Sequence, residues 1–500
     1  MIAFTAAEIA EITHGRLDAD AGITPASVVT DSREATAGSL YVAKRGEHAD
    51  GHDFVAAAFD NGATLVLAER AVAGPDGVNF PAVLVQDAVL AMGKLAAEAV
   101  RRIRAARLAE GDALTVIGIT GSAGKTTTKD LLAGILARHG STVAPQGSYN
   151  GEVGVPLTVF RAGTDTRYLV IEMGATGIGH IRYLADMVTP DIGVVLCVGT
   201  AHAGEFGGVE NIARAKGELL EALPDTGTAI INLDDDRVAA MRARTRATVV
   251  GFTADGHREA AVLAARPDTN ALGNPEFDLI LPGGEPDLHV SSRLIGSHHT
   301  GNLLAAAAAA FAAGIPGPEI AASLSSQTAA SRWRMERTER PDGVTVINDA
   351  YNANPESMRA ALRTLAELGR GRRTWAVLGA MLELGPDSIR EHMAVGTQVV
   401  RLNISRLVVV GREARSLYVS AVNEGSWGDE CVFAETADEA YELLQAELQP
   451  GDLVLFKSSN GIGLRHLGDR IALPPHATQD SPERPAEGTA ATATEGSAQL

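Results

Sequence analysis

The stretch VIGITGSAGKTTTKDLLAGILARH, residues 116–139, places an apolar run, a glycine-rich turn and a helical pattern in succession. The apolar run 116–119 predicts a strand, and TKDLLAGILARH, residues 128–139, predicts a helix. The glycines between them let backbone N–H groups turn inward on an anion, which the helix N-terminus also favours. We therefore predict a phosphate-binding loop made of Gly121, Ser122, Ala123, Gly124, Lys125, Thr126 and Thr127.

Two side chains of this loop suit a nucleotide. Lys125 is placed to reach β- and γ-phosphate oxygens, and the Thr126 hydroxyl suits Mg²⁺. The loop departs by one position from the usual G-x-x-x-x-G-K-[ST] string, because Ile119 stands where the first glycine is expected. It is a variant with a T-G-x-x-G-K-T-T core, and we predict that it binds ATP with Mg²⁺.

The alternation of strand and helix continues beyond the loop. Apolar runs separated by helical segments predict a mainly parallel sheet covered on both faces. Shorter, turn-rich segments over 253–293 predict an antiparallel edge, and the alanine-rich stretch 302–313 predicts a helix. The apolar runs are LTVIGIT (114–120), YLVIEMG (168–174), IGVVLCV (192–198) and TAIINL (228–233).

Two further units flank the central one, 112–330. Residues 1–111 mix short strand signals with a helical stretch, and residues 331–473 predict a second, smaller doubly wound unit. Residues 474–500 lack large apolar side chains except the last Leu, which predicts a disordered tail. We thus expect an α/β protein of three domains. The strand signals of the flanking units are 27–33, 39–46, 64–69, 344–349, 374–380, 406–411, 431–435 and 452–459, and the helical stretch is 88–107.

Composition narrows the class of protein. Lys+Arg 43 against Asp+Glu 62 gives a net charge of −19, which argues against a nucleic-acid or anionic-membrane binder, since phosphate backbones are held by clustered Lys and Arg. No uncharged apolar run approaches the ~18 residues needed to span a bilayer. The acidic N-terminus does not resemble a secretion leader. The two cysteines, Cys197 and Cys431, lack the spacing of metal ligands. We expect a cytoplasmic protein with two reduced thiols.

Polar residues follow the next strands. Glu172 closes one strand, His202 lies just past the following one, and Lys216 sits in the helical segment after that. Ligands of an open parallel sheet bind beyond the carboxyl ends of its strands, so Glu172 and His202 should face the phosphate loop. A carboxylate and an imidazole beside a triphosphate are suitable ligands for Mg²⁺. A solvated strand end or a surface lysine would explain any one of these residues alone.

Seven strings, the phosphate loop among them, form a longer pattern. They are TGSAGKTT (120–127), QGSYNGEVGVPLTV (146–159), IEMGA (171–175), GTAHAGEFGG (199–208), IARAKGE (212–218), GSHHTGN (296–302) and VINDAYNANPESM (346–358). In order and spacing they resemble the Mur ligase family, from about residue 25 to 472. Within it they are most similar to the members that join D-alanyl-D-alanine to a UDP-N-acetylmuramoyl-tripeptide. The resemblance implies domains for the UDP substrate (1–111), for ATP (112–330) and for the amine substrate (331–473).

The resemblance also implies a reaction. In such ligases ATP phosphorylates the carboxylate of the nucleotide-linked peptide, and the incoming amine then attacks the acyl phosphate and expels phosphate. A carboxylate is a poor electrophile, so its oxygen must first be turned into a leaving group. We therefore expect an ADP- and phosphate-forming peptide ligase of cytoplasmic peptidoglycan precursor synthesis, and we expect it to be a monomer.

Individual roles follow from the resemblance as well. Lys125 and Thr126 would hold the γ-phosphate and a first Mg²⁺, while Glu172 and His202 would serve a second. Lys216 matches a family lysine that CO₂ carbamylates, which turns a cation into a carboxylate-like metal ligand. The other implied contacts are Asn302 with adenine, Arg334 (or its neighbour Arg332) and Asp349 with the γ-phosphate and ribose, Asn348, Tyr351 and Asn352 in the same motif, and Asp31, Ser32, Arg33 and Lys44 with the GHDF segment (51–54) in the uridine-nucleotide pocket.

Three positions depart from the family pattern. Cys197 stands where Asn is frequent, Ala380 where a GDM string is common, and Asn460 where a Ser-Arg pair often follows the position of Lys457. The first concerns the ATP site, and the other two concern the amine-substrate pocket.

The sequence fits four other functions less well. A sister ligase that adds diaminopimelate or lysine usually carries a D-Y-A-H-type string and a D-x-P-R signature, both missing here. Folylpolyglutamate synthase lacks a first domain with a TDSR segment, which this chain has at 30–33. A P-loop NTPase switch would need a Walker-B-type Asp, whereas the strand here ends in Glu172. A non-catalytic nucleotide-binding scaffold would not need the complete set of Lys125, Glu172, His202 and Lys216.

Overall fold

The structure is a computed structural model, and three sheets organise the part of the chain that it describes. The described residues are 1–46, 49–199, 206–257, 259–284, 288–425 and 430–473. His202 and the predicted tail, 474–500, lie outside them. None of the described helices is long and apolar enough to cross a membrane.

The central sheet has the strand order β14-β13-β12-β11-β10-β9-β6-β8-β7. Its strands are parallel from β7 to β12, and the β12–β13 and β13–β14 pairs are antiparallel, which confirms the predicted edge. The strands are β6 (Thr115–Thr120), β7 (Thr142–Val143), β8 (Tyr168–Glu172), β9 (Ile192–Val195), β10 (Thr228–Asn232), β11 (Thr248–Thr253), β12 (Val262–Thr269), β13 (Pro275–Ile280) and β14 (His289–Ser291), and the helices are α4 (Lys125–Leu136), α5 (Gly154–Val159), α6 (His180–Val188), α7 (Val209–Glu221), α8 (Asp236–Ala240), α9 (His299–Ala312) and α10 (Gly317–Ser326).

The N-terminal unit is a five-stranded sheet of order β1-β5-β4-β3-β2. Only the β1–β5 pair is antiparallel among the described strands of this sheet. The strands are β1 (Arg16–Asp18), β2 (Ser27–Val29), β3 (Ser39–Ala43), β4 (Ala63–Ala68) and β5 (Ala82–Leu84), and the helices are α1 (Ala6–Thr13), α2 (Val55–Asp60) and α3 (Ala88–Ala109).

The C-terminal unit is a six-stranded sheet of order β15-β16-β20-β17-β18-β19. Its β15–β16 pair is antiparallel and its other pairs are parallel. The strands are β15 (Glu336–Glu339), β16 (Thr345–Asn348), β17 (Thr374–Leu378), β18 (Arg406–Val410), β19 (Cys431–Ala434) and β20 (Leu453–Lys457), and the helices are α11 (Pro355–Leu368), α12 (Ser388–Arg401), α13 (Arg415–Glu424), α14 (Ala437–Glu447) and α15 (Leu464–Ala472).

The predicted bounds of α4 were wrong. The helix begins at Lys125 rather than at residue 128, and it ends at Leu136 rather than at residue 139. Gly124 caps it in the left-handed region at φ 81°, and a Cβ at that position would overlap Asn302 Oδ1. A glycine is therefore required there, and Lys125 and Thr126 stand in the first turn of the helix, where free backbone N–H groups can meet an anion.

Helix α3 joins the N-terminal unit to the central one. One continuous apolar core includes Met92 and Leu95 of α3 together with Ile181 and Leu184 of α6. At the end of this interface, Arg104 Nη2 donates to Asp191 Oδ2 at 3.0 Å. The two units therefore share buried surface.

Gly93 allows α3 to approach α6 closely. A Cβ at this position would overlap the hydroxyl of Tyr183. We expect Gly93→Val to lower the free energy of unfolding by about 1–3 kcal/mol, because the added side chain forces the helices apart. Denaturant unfolding measures this change. Lys94→Val, an exposed position on the same helix, is the control and should stay within about 0.5 kcal/mol; equal losses in both variants would contradict the close approach.

Candidate active site

A cavity of about 1100 Å³ lies where the central and C-terminal units meet, at the carboxyl ends of the central parallel strands. The predicted phosphate loop, 121–127, lines one wall together with residues 148–154. Residues of the C-terminal unit line the opposite wall, and Thr30 reaches it from the N-terminal unit. The position agrees with the rule that open α/β sheets bind ligands beyond the carboxyl ends of their strands.

Lys125 and Thr126 face this cavity from the first turn of α4. Lys125 Nζ donates to the carbonyl of Gly121 at 2.8 Å, so the ammonium lies back over the loop. Its removal from water lowers the pKa of Lys125, and the charge of Glu172 opposes that shift. Thr126 Oγ1 donates to Glu172 Oε2 at 2.9 Å. The loop thus presents a cation and a hydroxyl to the same cavity, as a nucleotide phosphate with a metal ion requires.

Glu172 is fixed by a residue that sequence reasoning did not single out. The carboxylate is buried at the end of β8, and its Oε1 accepts a hydrogen bond from Asn150 Nδ2 at 2.8 Å. Gly174 makes room for this amide, since a Cβ there would lie 2.8 Å from Asn150 Oδ1. Asn150 belongs to the string 146–159 that carries the resemblance, and this was the available signal.

Lys216 lies on α7, where it is buried and lines the same cavity as the phosphate loop. Burial lowers the pKa of its amine to about 7, and the charge of Lys125 lowers it further. At neutral pH a large share of this amine is therefore uncharged, and the uncharged amine is the form that attacks CO₂.

The oxygens of Thr126 and Glu172 fit Mg²⁺. In the described ranges no group of three or more His, Cys, Asp or Glu side chains is arranged to hold a metal. Mg²⁺ does not need one, because it usually takes one or two carboxylates plus water and substrate phosphates. The predicted ligand His202 lies outside the described residues.

Arg334, rather than Arg332, reaches the phosphate loop. Its Nη2 donates to Thr126 Oγ1 at 3.4 Å, and its guanidinium lies 4.6 Å from the centroid of the Tyr351 ring. Its Nε is buried without a hydrogen-bond partner, and Arg334 lines the cavity beside the phosphate loop. Arg332 instead pairs with Glu336 and Asp469 within the C-terminal unit.

Asp349 also lines the cavity, but its carboxylate is engaged by its own unit. Lys457 Nζ donates to Asp349 Oδ2 at 2.5 Å, and the Met335 N–H donates to Asp349 Oδ1 at 3.1 Å. Burial lowers the pKa of Lys457, and Asp349 opposes the shift. Lys457 also donates to the carbonyl of Asn352 at 3.0 Å, so the pair holds the cavity-lining loop in place.

Besides the Arg334–Thr126 contact, two further hydrogen bonds connect the C-terminal unit to the phosphate loop and to the segment 148–154. Asn354 Nδ2 donates to the carbonyl of Ser122 at 3.2 Å, and the hydroxyls of Tyr351 and Ser148 lie 3.0 Å apart. Asn354 was not singled out from the sequence, although it lies within the string 346–358. These contacts bring the predicted ATP and amine-substrate units together around the cavity.

Asn302 stands on α9 behind Gly124 and lines the cavity. Its Nδ2 lies 3.1 Å from His299 Nδ1. Because the amide nitrogen must donate, His299 Nδ1 accepts, and the ring carries its proton on Nε2. Burial lowers the pKa of His299 well below its usual value, which keeps the ring neutral.

Other predicted residues lie away from the cavity. Asn348 is not among the described residues of its wall, and its Nδ2 donates instead to the carbonyl of Arg465 and to Asp469. Asp31 pairs with Arg33, whose side chain lowers the pKa of the carboxyl. The uridine-nucleotide pocket formed by Asp31, Ser32, Arg33 and Lys44 stays a prediction.

The three departures from the family pattern differ in position. Cys197 lines the cavity and its Sγ lies 3.7 Å from the Ala123 carbonyl; burial raises the pKa of this thiol. Asn460 lines the cavity and accepts from Arg465, whereas Ala380 is buried.

Three family models match successive parts of the chain: the Mur ligase family catalytic domain (26–107), the Mur ligase middle domain (119–310) and the Mur ligase glutamate ligase domain (333–460). The chain is 44% identical to UDP-N-acetylmuramoyl-tripeptide–D-alanyl-D-alanine ligase of Mycobacterium tuberculosis, over 94% of this chain and 98% of that one. A crystal structure of MurF from Acinetobacter baumannii is 30% identical with a TM-score of 0.82, over 94% and 99%. A MurF ligase structure from Thermotoga maritima in complex with ADP is 26% identical with a TM-score of 0.74, over 89% and 97%. From its three matched domains and its identity to these relatives, the chain belongs to the Mur ligase family.

Proposed function

We propose that this chain joins D-alanyl-D-alanine to UDP-N-acetylmuramoyl-tripeptide and converts ATP to ADP and phosphate. Relatives named for this reaction are 44% identical over nearly the whole chain. The observation that carries the proposal is the 3.4 Å contact between Arg334 and Thr126. This contact places a cation of the C-terminal unit, to which the resemblance assigns the amine substrate, at the phosphate loop. Phosphoryl transfer and amide-bond formation can therefore take place in the same cavity.

In the first step the γ-phosphoryl group of ATP passes to a terminal carboxylate oxygen of the tripeptide, and ADP leaves. Lys125 and Arg334 offset the negative charge on the transferring group. When bound, Mg²⁺ adds further charge neutralisation, and Thr126 and Glu172 would hold it. Family resemblance adds carbamylated Lys216 and His202 to these ligands.

In the second step the amine nitrogen of D-alanyl-D-alanine attacks the carbonyl carbon of the acyl phosphate. The C–N bond forms, the C–O bond to phosphate breaks with its electron pair leaving on phosphate, and the amine loses a proton. The contribution of the chain is to hold the reactants together and to keep water from the acyl phosphate. The hydrogen bond from Asn354 to Ser122 stabilises the arrangement of the two units in which this can happen.

The proposal is tested by measuring phosphate release with each substrate alone and with the two substrates together. We expect rapid release only when ATP, UDP-N-acetylmuramoyl-tripeptide and D-alanyl-D-alanine are all present, with a product whose mass is that of the two substrates less one water. Lys125→Ala is the negative control, because it removes the phosphate-loop cation. Release that needs neither substrate, or that needs diaminopimelate or lysine with a UDP-dipeptide, would contradict the proposal.

The domain boundaries at 111/112 and 330/331, the cytoplasmic location and the monomeric state stay predictions. Size-exclusion chromatography with light scattering measures the last of these, and we expect the mass of one 52.0 kDa chain.

A further inference from the structure

The backbone on either side of Arg334 is unusual. Trp333 has φ 59° and Met335 has φ 52°, which places both in the left-handed region. Bulky L-residues avoid this region because Cβ crowds the following carbonyl oxygen. Such strain persists where the surroundings hold it, and it concentrates at functional sites. The residue between them is the one that reaches the phosphate loop.

Trp333 is anchored on α15. Its indole Nε1 donates to both carboxylate oxygens of Asp469, each at 3.0 Å, and its backbone N–H donates to Glu336 Oε2 at 2.9 Å. The Arg465 guanidinium lies 5.3 Å from the centroid of the Trp333 ring, and the Tyr351 ring stacks on it with an interplanar angle of 12°. The conformation of Trp333 is thus held by contacts of both its side chain and its backbone.

Met335 is held on the other side of Arg334. Its side chain is buried in the core of the C-terminal unit, and its N–H donates to Asp349. Both neighbours of Arg334 are therefore fastened to their own unit, while Arg334 itself extends to Thr126 in the central unit. The two left-handed residues turn the chain so that these three side chains point to different partners.

Asp469 is oriented in turn by Asn348. Asn348 Nδ2 donates to Asp469 Oδ1 at 3.1 Å. The amide can approach α15 because residue 468 is glycine, where a Cβ would lie 2.5 Å from Asn348 Nδ2. This gives Asn348 a role within the unit that differs from the predicted substrate contact.

We propose that Trp333, anchored by Asp469, is a positioning residue that holds residues 333–335 in the conformation that delivers Arg334 to the phosphate loop. The inference rests on the proposed function, in which Arg334 offsets charge on the transferring phosphoryl group. Trp333 is not among the described residues that line the cavity, and it acts through Arg334.

A pair of substitutions at Trp333 separates positioning from packing. Trp333→Ala loses the anchor and keeps the penalty of the left-handed backbone, whereas Trp333→Gly loses the anchor without that penalty. We expect Trp333→Ala to lower kcat/KM for ATP and the affinity for a non-hydrolysable ATP analogue on the order of tenfold, and Trp333→Gly to lower both less. The KM for the UDP-tripeptide should not change. A glycine variant as impaired as the alanine variant, or more so, would overturn the proposal.

A double-mutant cycle between Asp469→Ala and Arg334→Ala gives a second test. Asp469→Ala alone should resemble Trp333→Ala, and it should cause no further loss once Arg334 is removed. Asp438→Ala is the matched control, because Asp438 of α14 pairs at 2.7 Å with Arg470 of α15, the helix that carries Asp469. The ATP affinity of this control variant should be unchanged. Thermal unfolding of each nucleotide-free variant verifies that it is folded.

The outcomes of the cycle are distinguishable. Independent, additive losses from Asp469→Ala and Arg334→Ala would overturn the positioning role and leave the proposed function intact. An Arg334→Ala variant with unchanged ATP affinity and turnover would overturn both the assignment of Arg334 and this inference.

Discussion

Replacing Lys216 by alanine should lower the rate of ligation by about 10²–10³-fold, the scale expected when one strong electrostatic contact to a transition state is lost. Lys216 is buried beside the phosphate loop, where a pKa lowered to about 7 leaves much of its amine uncharged and open to CO₂. A carbamate at this position would place a negative charge near Lys125 and the proposed metal. The loss is measured as the ratio of steady-state ligation rates of the unmodified protein and the alanine variant, each assayed with and without added bicarbonate.

A second substitution distinguishes a carbamate from a simple cation. Lys216→Arg keeps the positive charge and fills the site, but it cannot form the carbamate. We expect it to be as inactive as the alanine variant and insensitive to added acetate or formate. Lys216→Ala leaves space in which a small carboxylate can replace the lost anion, so those additives should restore part of its activity. An alanine variant with full activity and no carboxylate supplement would disprove the carbamate role.

Glu172→Gln should lower ligation to a similar extent, by about 10²–10³-fold. The substitution preserves the shape of a buried side chain that contacts Thr126 and Asn150, but it removes the charge that a metal ligand needs. The Mg²⁺ concentration that gives half-maximal activity should therefore rise together with the loss in rate.

Glu152→Gln is the control for this effect. It removes a carboxylate of the same charge from the wall of the same cavity, so it reports any general change in electrostatic potential. We expect a much smaller loss and an unchanged Mg²⁺ requirement. Equal Mg²⁺ dependence in the Glu172 variant and the unmodified protein would contradict the proposed ligand role.

Long apolar runs made most of the fold predictable. The runs at 114–120, 168–174 and 228–233 contain β6, β8 and β10, because a buried parallel strand must be apolar on both faces. Strands β7 and β15 were not predicted, because β7 has only two residues and β15 reads ERTE, which contains no apolar residue. The early start of α4 depends on the conformation of Gly124, which periodicity does not report.

The residues of the candidate site were only partly predictable from the sequence. The residues of the phosphate loop were predicted because they form one continuous string, in which glycines and a helix N-terminus together suit an anion. The choice between Arg332 and Arg334 needed the fold, since both are arginines two positions apart and only the backbone decides which one crosses to Thr126. The partners Asn150 and Asn354 act across long sequence separations, which no local pattern encodes.

Oxygen transfer from the substrate carboxylate tests the ligase mechanism most directly. The UDP-tripeptide is labelled with ¹⁸O in its terminal carboxylate, and the phosphate released during ligation to D-alanyl-D-alanine is analysed by mass spectrometry. An acyl-phosphate mechanism predicts one ¹⁸O in each phosphate, because the carboxylate oxygen that accepts the phosphoryl group leaves with it. Unlabelled phosphate released in step with product would contradict the account.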